Sequence, residues 1–138
     1  MAKPKLLIVE DDVGLCNQYR WAFPGYETLF AQDRKQALAV VQRDQPKLAI
    51  MDLGLPPDPD GVSEGFATLE QIARIAPDLK VIVATSHSDR THALRAVASG
   101  AYDFCEKPVE IEVLRTIIER GLNRHRLEPE CQRCPDLI

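Results

Sequence analysis

The chain is short of several residue types, and each shortage excludes something. There are 4 cysteines in 138 residues. Cys16 and Cys105 stand alone, and Cys131 and Cys134 form a single CxxC. That is too few for a disulfide scaffold at this length, so the chain reads as a reduced, cytoplasmic protein. The CxxC with His125 does not reach the four suitably spaced ligands of a zinc site. Positive charge is not in excess. The net charge is −4, which removes the basic footprint expected of a nucleic-acid binder. No apolar run approaches the ~18 residues needed to span a membrane. The run Leu6 to Val9 is too short for a secretory core segment. Internal repeats and low-complexity tracts are absent.

What is present fits one globular domain. Apolar residues make up 45% and charged residues 28%. A chain of this size buries about 68% of its unfolded surface, enough for one core without disulfides or metal. Apolar runs of strand length alternate with segments of helical period. Leu6-Leu7-Ile8-Val9, Tyr26 to Ala31, Leu48 to Leu53, Val81 to Ala84 and Tyr102 to Glu106 read as strands. Between and after them, Leu15, Tyr19, Ala22 and Phe23, then Ala37, Leu38 and Val41, recur at helical spacing. So do Phe66, Leu69, Ile72, Ala73 and Ala76, then Leu94, Val97 and Ala98, and finally Ile111, Leu114, Ile118 and Leu122. Asp33 with Gln36 predicts a capping pair, Ser63 a helix cap, Ser88 or Asp89 another, and Gly100 a helix terminator. Strict strand–helix alternation, with strands apolar on both sides, predicts a parallel sheet covered by helices on both faces.

In an open α/β sheet, ligands bind at the carboxyl ends of the strands. The first strand ends in Glu10-Asp11-Asp12, the third at Asp52, the fourth at Thr85-Ser86 and the fifth at Lys107-Pro108. An acidic pair after a strand often caps or complements the next helix. An Asp inside an apolar strand is harder to explain that way, because an unpaired buried carboxylate is costly. Glu10, Asp11 and Asp52 together make an all-oxygen pocket suited to Mg²⁺ or Mn²⁺. Lys107 and Thr85 add a point charge and a hydroxyl donor. These are the parts phosphoryl transfer requires: a nucleophile, charge neutralisation and positioned donors.

These segments resemble the receiver domains of two-component response regulators. The likeness is carried by Leu6 to Asp12, by Ala49-Ile50-Met51-Asp52-Leu53-Gly54-Leu55-Pro56, by Val81 to Ser86 and by Gly100 to Pro108, all in order. It covers residues 5 to about 124, so residues 1–126 read as the receiver and 127–138 as a loosely ordered tail or the start of a linker. The resemblance implies a flavodoxin-like doubly wound sheet of strand order 2-1-3-4-5. It implies a signalling switch rather than an enzyme, one that regulates transcription through partners. Asp52 would accept a phosphoryl group from a histidine kinase. Asp11 would bind Mg²⁺ directly, Glu10 mostly through water, and the Gly54 carbonyl would complete the protein ligands. Thr85 and Lys107 would hold the phosphoryl oxygens, and Phe104 would change rotamer when Thr85 moves. Lys107-Pro108 would carry a cis peptide. A homodimer through the face of the fourth helix, fifth strand and fifth helix is a further implication, with no direct nucleic-acid or membrane contact.

The chain departs from the common receiver pattern in one place. The spacing from Asp52 to both Thr85 and Lys107 is several residues longer than usual, whereas Thr85 to Lys107 is usual. The insertion therefore lies in Pro57 to Glu64. Its prolines predict a stiff wall beside the site, acidic at Asp58, Asp60 and Glu64, that selects the partner kinase; a neutral insertion is the competing reading. The run from Gly54 through Glu70 resembles receivers of sigma-54-dependent regulators of the exosortase and exopolysaccharide type. In those, an ATPase and a DNA-binding domain follow. Two other functions fit the sequence less well. An aspartyl-phosphate phosphatase of the haloacid-dehalogenase kind needs a DxD pair, and Gly54 stands where the second Asp would be. A flavodoxin-like cofactor binder needs a Ser/Thr- or Gly-rich loop after the first strand, which is missing. His87 and His92 read as solvated, Arg120, Arg124 and Arg126 as complements to a helix dipole, and Gly121 as a loosened joint toward an output domain.

Overall fold

The computed structural model describes residues 3–56, 62–85, 90–107 and 110–131. The elements alternate as expected: β1 (Lys5–Val9), α1 (Val13–Ala22), β2 (Glu27–Ala31), α2 (Arg34–Asp44), β3 (Leu48–Met51), α3 (Ser63–Ile75), β4 (Lys80–Thr85), α4 (Arg90–Ala98), β5 (Asp103–Glu106) and α5 (Ile111–Cys131). The strands form one parallel sheet in the order β2-β1-β3-β4-β5. The fold class and strand order are those expected from the sequence.

The double-sided apolarity of the strands sorts cleanly into two cores. Leu7, Val9, Ala49, Met51, Val81 and Val83 face α2, α3 and α4, where Val40, Val41, Phe66, Leu69, Ile72 and Ala96 meet them. Leu6, Ile8, Leu48, Ile50, Ile82 and Ala84 face α1 and α5, where Tyr19, Phe23, Leu114, Ile118 and Leu122 meet them. The period of two along each strand does the sorting.

Local chemistry sets the helix ends. Asp12 caps α1, its carboxylate accepting from the Leu15 N–H at 3.2 Å. Asp33 caps α2, accepting from the Gln36 N–H at 2.8 Å, and the Gln36 side chain accepts in return from the Gln32 N–H. Gln45 ends α2 at φ 51, a left-handed position taken by a residue with a Cβ. Gly100, at φ 112, follows α4 as expected.

Three expectations change. Val62, not Ser63, holds the N-cap place of α3, and no side chain caps it. The reason is the close approach one turn on. A Cβ on Gly65 would lie 2.3 Å from the Leu53 Cα, and the Gly65 N–H donates to the Leu53 carbonyl at 3.2 Å. The backbone of the strand end satisfies this helix start. Gly121 is not a loosened joint. It is buried within α5, where a Cβ would stand 3.1 Å from Leu48 and 3.3 Å from Tyr102, so it lets α5 sit close to the sheet. The segment expected to be loose from residue 127 begins as helix, since α5 continues to Cys131. Ser88, Asp89 and residues 132–138 lie outside the described residues.

Candidate functional site

Parallel register brings the strand ends to one edge. Val9 pairs with Ala31 on one side and with Met51 on the other. The ladder then runs one residue further: the Glu10 N–H donates to the Ala31 carbonyl at 2.9 Å, and the Asp52 N–H to the Val9 carbonyl at 3.0 Å. The backbones of Glu10 and Asp52 are thus fixed side by side. Both continue the face of their strands that α1 and α5 cover, by the same alternation that places Ile8 and Ile50 there.

Glu10 is 3% exposed and Asp52 9%. Carboxylate oxygens of Glu10, Asp11 and Asp52 lie within 4.8 Å of one another. Lys107 arrives from beyond β5 and closes the group. Its Nζ donates to Glu10 Oε1 at 2.6 Å and to Asp52 Oδ2 at 3.1 Å. The other Asp52 oxygen accepts from the Gly54 N–H at 3.1 Å, and Glu10 Oε2 from the Asp12 N–H at 3.3 Å.

The electrostatics follow from crowding in a dry place. Burial, acting with the neighbouring Asp52 charge against the Lys107 bond, pushes the Glu10 carboxyl up to about 7. Lys107 is itself half-buried, which lowers its pKa, but the two carboxylates outweigh burial and hold it above the ordinary lysine value. One ammonium cannot neutralise three carboxylates. The donor set, all hard oxygen and short of positive charge, fits a small divalent cation.

The remaining predicted residues divide. Thr85 ends β4 opposite Glu106, beside the lysine's strand, and its side chain lies outside the described residues. Phe104 is half-buried on the other face of β5, against the α2–α3–α4 core. Pro108, His87 and residues 57–61 of the insertion lie outside the described residues. Pro56 and Glu64, at the insertion's two ends, line a cleft of about 380 Å³ with Asp33, Arg34, Lys35 and Leu38. Glu64 is not a free acidic rim: Arg34 Nε donates to it at 3.0 Å.

Two more readings are corrected. His92 is not simply solvated; it is partly buried, with its ring centroid 6.3 Å from that of Phe66. The Arg95 guanidinium lies over the same ring at 4.0 Å, so α4 rests on α3 through an aromatic face. Arg120 does not serve a helix end. It pairs with Asp103 at 2.6 Å and donates to the Tyr102 hydroxyl at 3.2 Å, tying α5 to the fifth strand.

Sequence reasoning missed Arg34 as the partner of Glu64, since nothing local pairs residues so far apart. It also missed that the Tyr19 hydroxyl, buried in the core under α1, has no hydrogen-bond partner among the described residues. Tyr19 counted only as an apolar position on a helix face.

Known proteins resemble this chain in sequence and in fold. The chain is 31% identical over 134 residues to the nitrogen assimilation regulatory protein NtrX of Azorhizobium caulinodans, covering 96% of this chain and 29% of that protein. It is 28% identical over 136 residues to the alginate biosynthesis transcriptional regulatory protein AlgB of Pseudomonas aeruginosa, covering 97% of this chain and again 29% of the relative. The chain therefore spans under a third of the length of these relatives. Among solved structures, a CheY-like response regulator receiver domain protein of Methanospirillum hungatei superposes with a TM-score of 0.84 at 26% identity, covering 92% of this chain and 99% of that one. NtrX of Brucella abortus superposes with a TM-score of 0.83 at 31% identity, covering 97% of this chain and 30% of that one. The family described as the response regulator receiver domain matches residues 6–119, and with the fold and strand-edge acids in place the chain belongs to that family.

Proposed function

We propose that this domain is a phosphorylation-controlled switch in which Asp52 accepts a phosphoryl group from a histidine kinase. The observation that carries the reading is the bridge of Lys107 to both Glu10 and Asp52, with Asp11 at the same pocket. A carboxylate nucleophile sits beside a fixed cation and two further acids, at the edge where α/β sheets bind ligands.

In the transfer, an Asp52 carboxylate oxygen forms a bond to phosphorus as the phosphorus–nitrogen bond of the kinase's phosphohistidine breaks. The electron pair leaves on the imidazole nitrogen, which takes up a proton. Lys107 turns from the carboxylates to a phosphoryl oxygen, and Thr85 donates to another. The Gly54 N–H holds the second Asp52 oxygen and so fixes the carboxylate plane. Asp11, Asp52, the Gly54 carbonyl and, through water, Glu10 are the residues that would hold Mg²⁺, or Mn²⁺. Such an ion supplies charge neutralisation on the phosphoryl oxygens.

The added charge is read elsewhere. Thr85 moves toward the phosphoryl group, Phe104 turns into the space it leaves, and the face of α4, β5 and α5 changes its partners. Leu94 and Val97, 66% and 56% exposed on α4, suit such a contact, including one with a second copy of the chain. The longer relatives are named as transcriptional regulators, so the partners proposed are output domains that act on transcription, of the sigma-54-dependent kind, in the cytoplasm.

The test is incubation with acetyl phosphate and Mg²⁺, read by intact mass. The wild type gains the mass of one phosphoryl group and Asp52→Asn gains none while keeping its far-UV circular dichroism. A variant that still gains that mass would place the nucleophile elsewhere.

A further inference from the structure

The buried hydroxyl of Tyr19, in the core on the α1–α5 face of the sheet, has no hydrogen-bond partner among the described residues. Tyr19 is 1% exposed, and its oxygen is fully enclosed and hydrogen-bonded to none of the described residues. A buried polar group left unmade costs free energy, and a site that keeps one calls for an explanation.

Its surroundings point to one. Tyr19 lies on α1, one turn past Cys16, whose thiol donates to the Glu10 carbonyl at 3.3 Å. Helical aromatic side chains lean back toward the helix N-terminus. The N-terminus of α1 is the end that meets the site, through Glu10, Asp11 and the cap Asp12. The ring belongs to the core on the α1–α5 face, along with Ile8, Ile50 and Cys105. Glu10 and Asp52 are the next residues on that same face. Consistent with this placement, burial raises the Tyr19 pKa most, followed by the charges of Glu10 and then Asp52.

In the present arrangement Glu10 is served by Lys107 at 2.6 Å and by the Asp12 N–H. The proposed transfer withdraws Lys107 toward a phosphoryl oxygen. Glu10, almost fully buried, then loses its short charged partner. We propose that Tyr19 is a positioning residue held in reserve: its O–H donates to the Glu10 carboxylate when Lys107 leaves, and so stabilises the phosphorylated arrangement over the resting one. The inference rests on the phosphoacceptor reading above. It adds to that reading a donor from the core side of the pocket, whose bond is made in one state and absent in the other.

The test uses beryllofluoride with Mg²⁺ as the phosphoryl mimic, followed by ¹⁹F resonances of the bound form. Tyr19→Phe removes only the hydroxyl. The expected result is a drop of about tenfold in apparent beryllofluoride affinity, the loss of one hydrogen bond to a charged group. The melting temperature of the unliganded variant stays the same or rises, because an unpaired buried hydroxyl is gone. A merely structural tyrosine would show the reverse, a lower melting temperature with unchanged affinity. A second readout needs no variant: with ¹³C at the tyrosine ζ carbons, the Tyr19 resonance shifts on adding beryllofluoride as its hydroxyl gains an acceptor. Equal affinities together with an unmoved Tyr19 resonance would overturn this inference alone. Failure of the wild type to bind beryllofluoride would overturn the phosphoacceptor reading and this inference with it.

Discussion

The two ends of the sheet make an instructive pair. At the amino end, Val41, Pro46, Lys47, Ile75, Pro77 and Leu79 help to line a cleft of about 520 Å³, larger than the 380 Å³ cleft beside the carboxyl-end site. Its residues bring no set of carboxylates together, and its one strained feature, Gln45 at φ 51, is tied to the end of a helix. At the carboxyl end the described residues gather far more charge: three acids within 4.8 Å and a lysine bonded to two of them. The proposed chemistry rests on this convergent charge and not on the volume of a cleft. The same strands supply both ends, so the difference lies in what each strand carries on leaving the sheet.

The comparison is broken most easily at Asp11. It is exposed enough to meet solvent and sits in the acid cluster without belonging to the Lys107 bridge. Asp11→Ala is expected to weaken Mg²⁺ binding by more than about 100-fold, since loss of an outer partner alone typically costs 10–100-fold. Isothermal titration measures it, and unchanged affinity would remove the cation from this end of the sheet.

A smaller effect sharpens the electrostatic contrast. Glu10 ordinarily titrates at 4.5 and in the fold at about 7, chiefly because it is buried. Between those values the folded chain binds the extra proton, so without divalent cations stability falls as pH rises from about 4.5 to about 7 and levels off above. Glu10→Gln is expected to abolish that decline. The variant should match the wild type near pH 4 and exceed it by about 1–3 kcal/mol near pH 8. Urea denaturation in chelator at several pH values reads the difference. A wild type whose stability rises across this range would contradict the burial argument.

The smallest effect belongs to the amino end. Gln45→Gly relieves a left-handed residue while loosening the unfolded chain, so the net gain should be about 0.5 kcal/mol. Labelling by acetyl phosphate should not change. A variant altered in labelling would show that the two ends are coupled, which the contrast denies.

Much of this was legible in the sequence because the signals are local. Runs such as Leu6 to Val9 and Ala49 to Met51 are apolar at every position, which only strands covered on both faces tolerate. Asp52 was legible because it interrupts such a run, and Lys107 because it follows one. Asp33 and Gln36 announced their helix by a spacing of three. What could not be read depends on approach between distant segments. Ser63 looked like a cap until Gly65 proved to be pressed against Leu53. Gly121 looked like a weak point until Leu48 and Tyr102 were found against it. Glu64 looked free until Arg34 reached it, and His92 looked solvated until Phe66 came beside it. Tyr19 is the sharpest case. Its spacing predicts burial correctly, and spacing carries no information on whether a hydroxyl finds a partner.

The central claim is that Asp52 is the group that takes the phosphoryl, and one measurement meets it directly. After labelling with acetyl phosphate and Mg²⁺, borohydride reduces an aspartyl phosphate to homoserine, and peptide mass spectrometry locates the altered residue. The account predicts homoserine at position 52 and nowhere else. Homoserine at Asp11, Asp12 or another carboxylate, with position 52 intact, would contradict it.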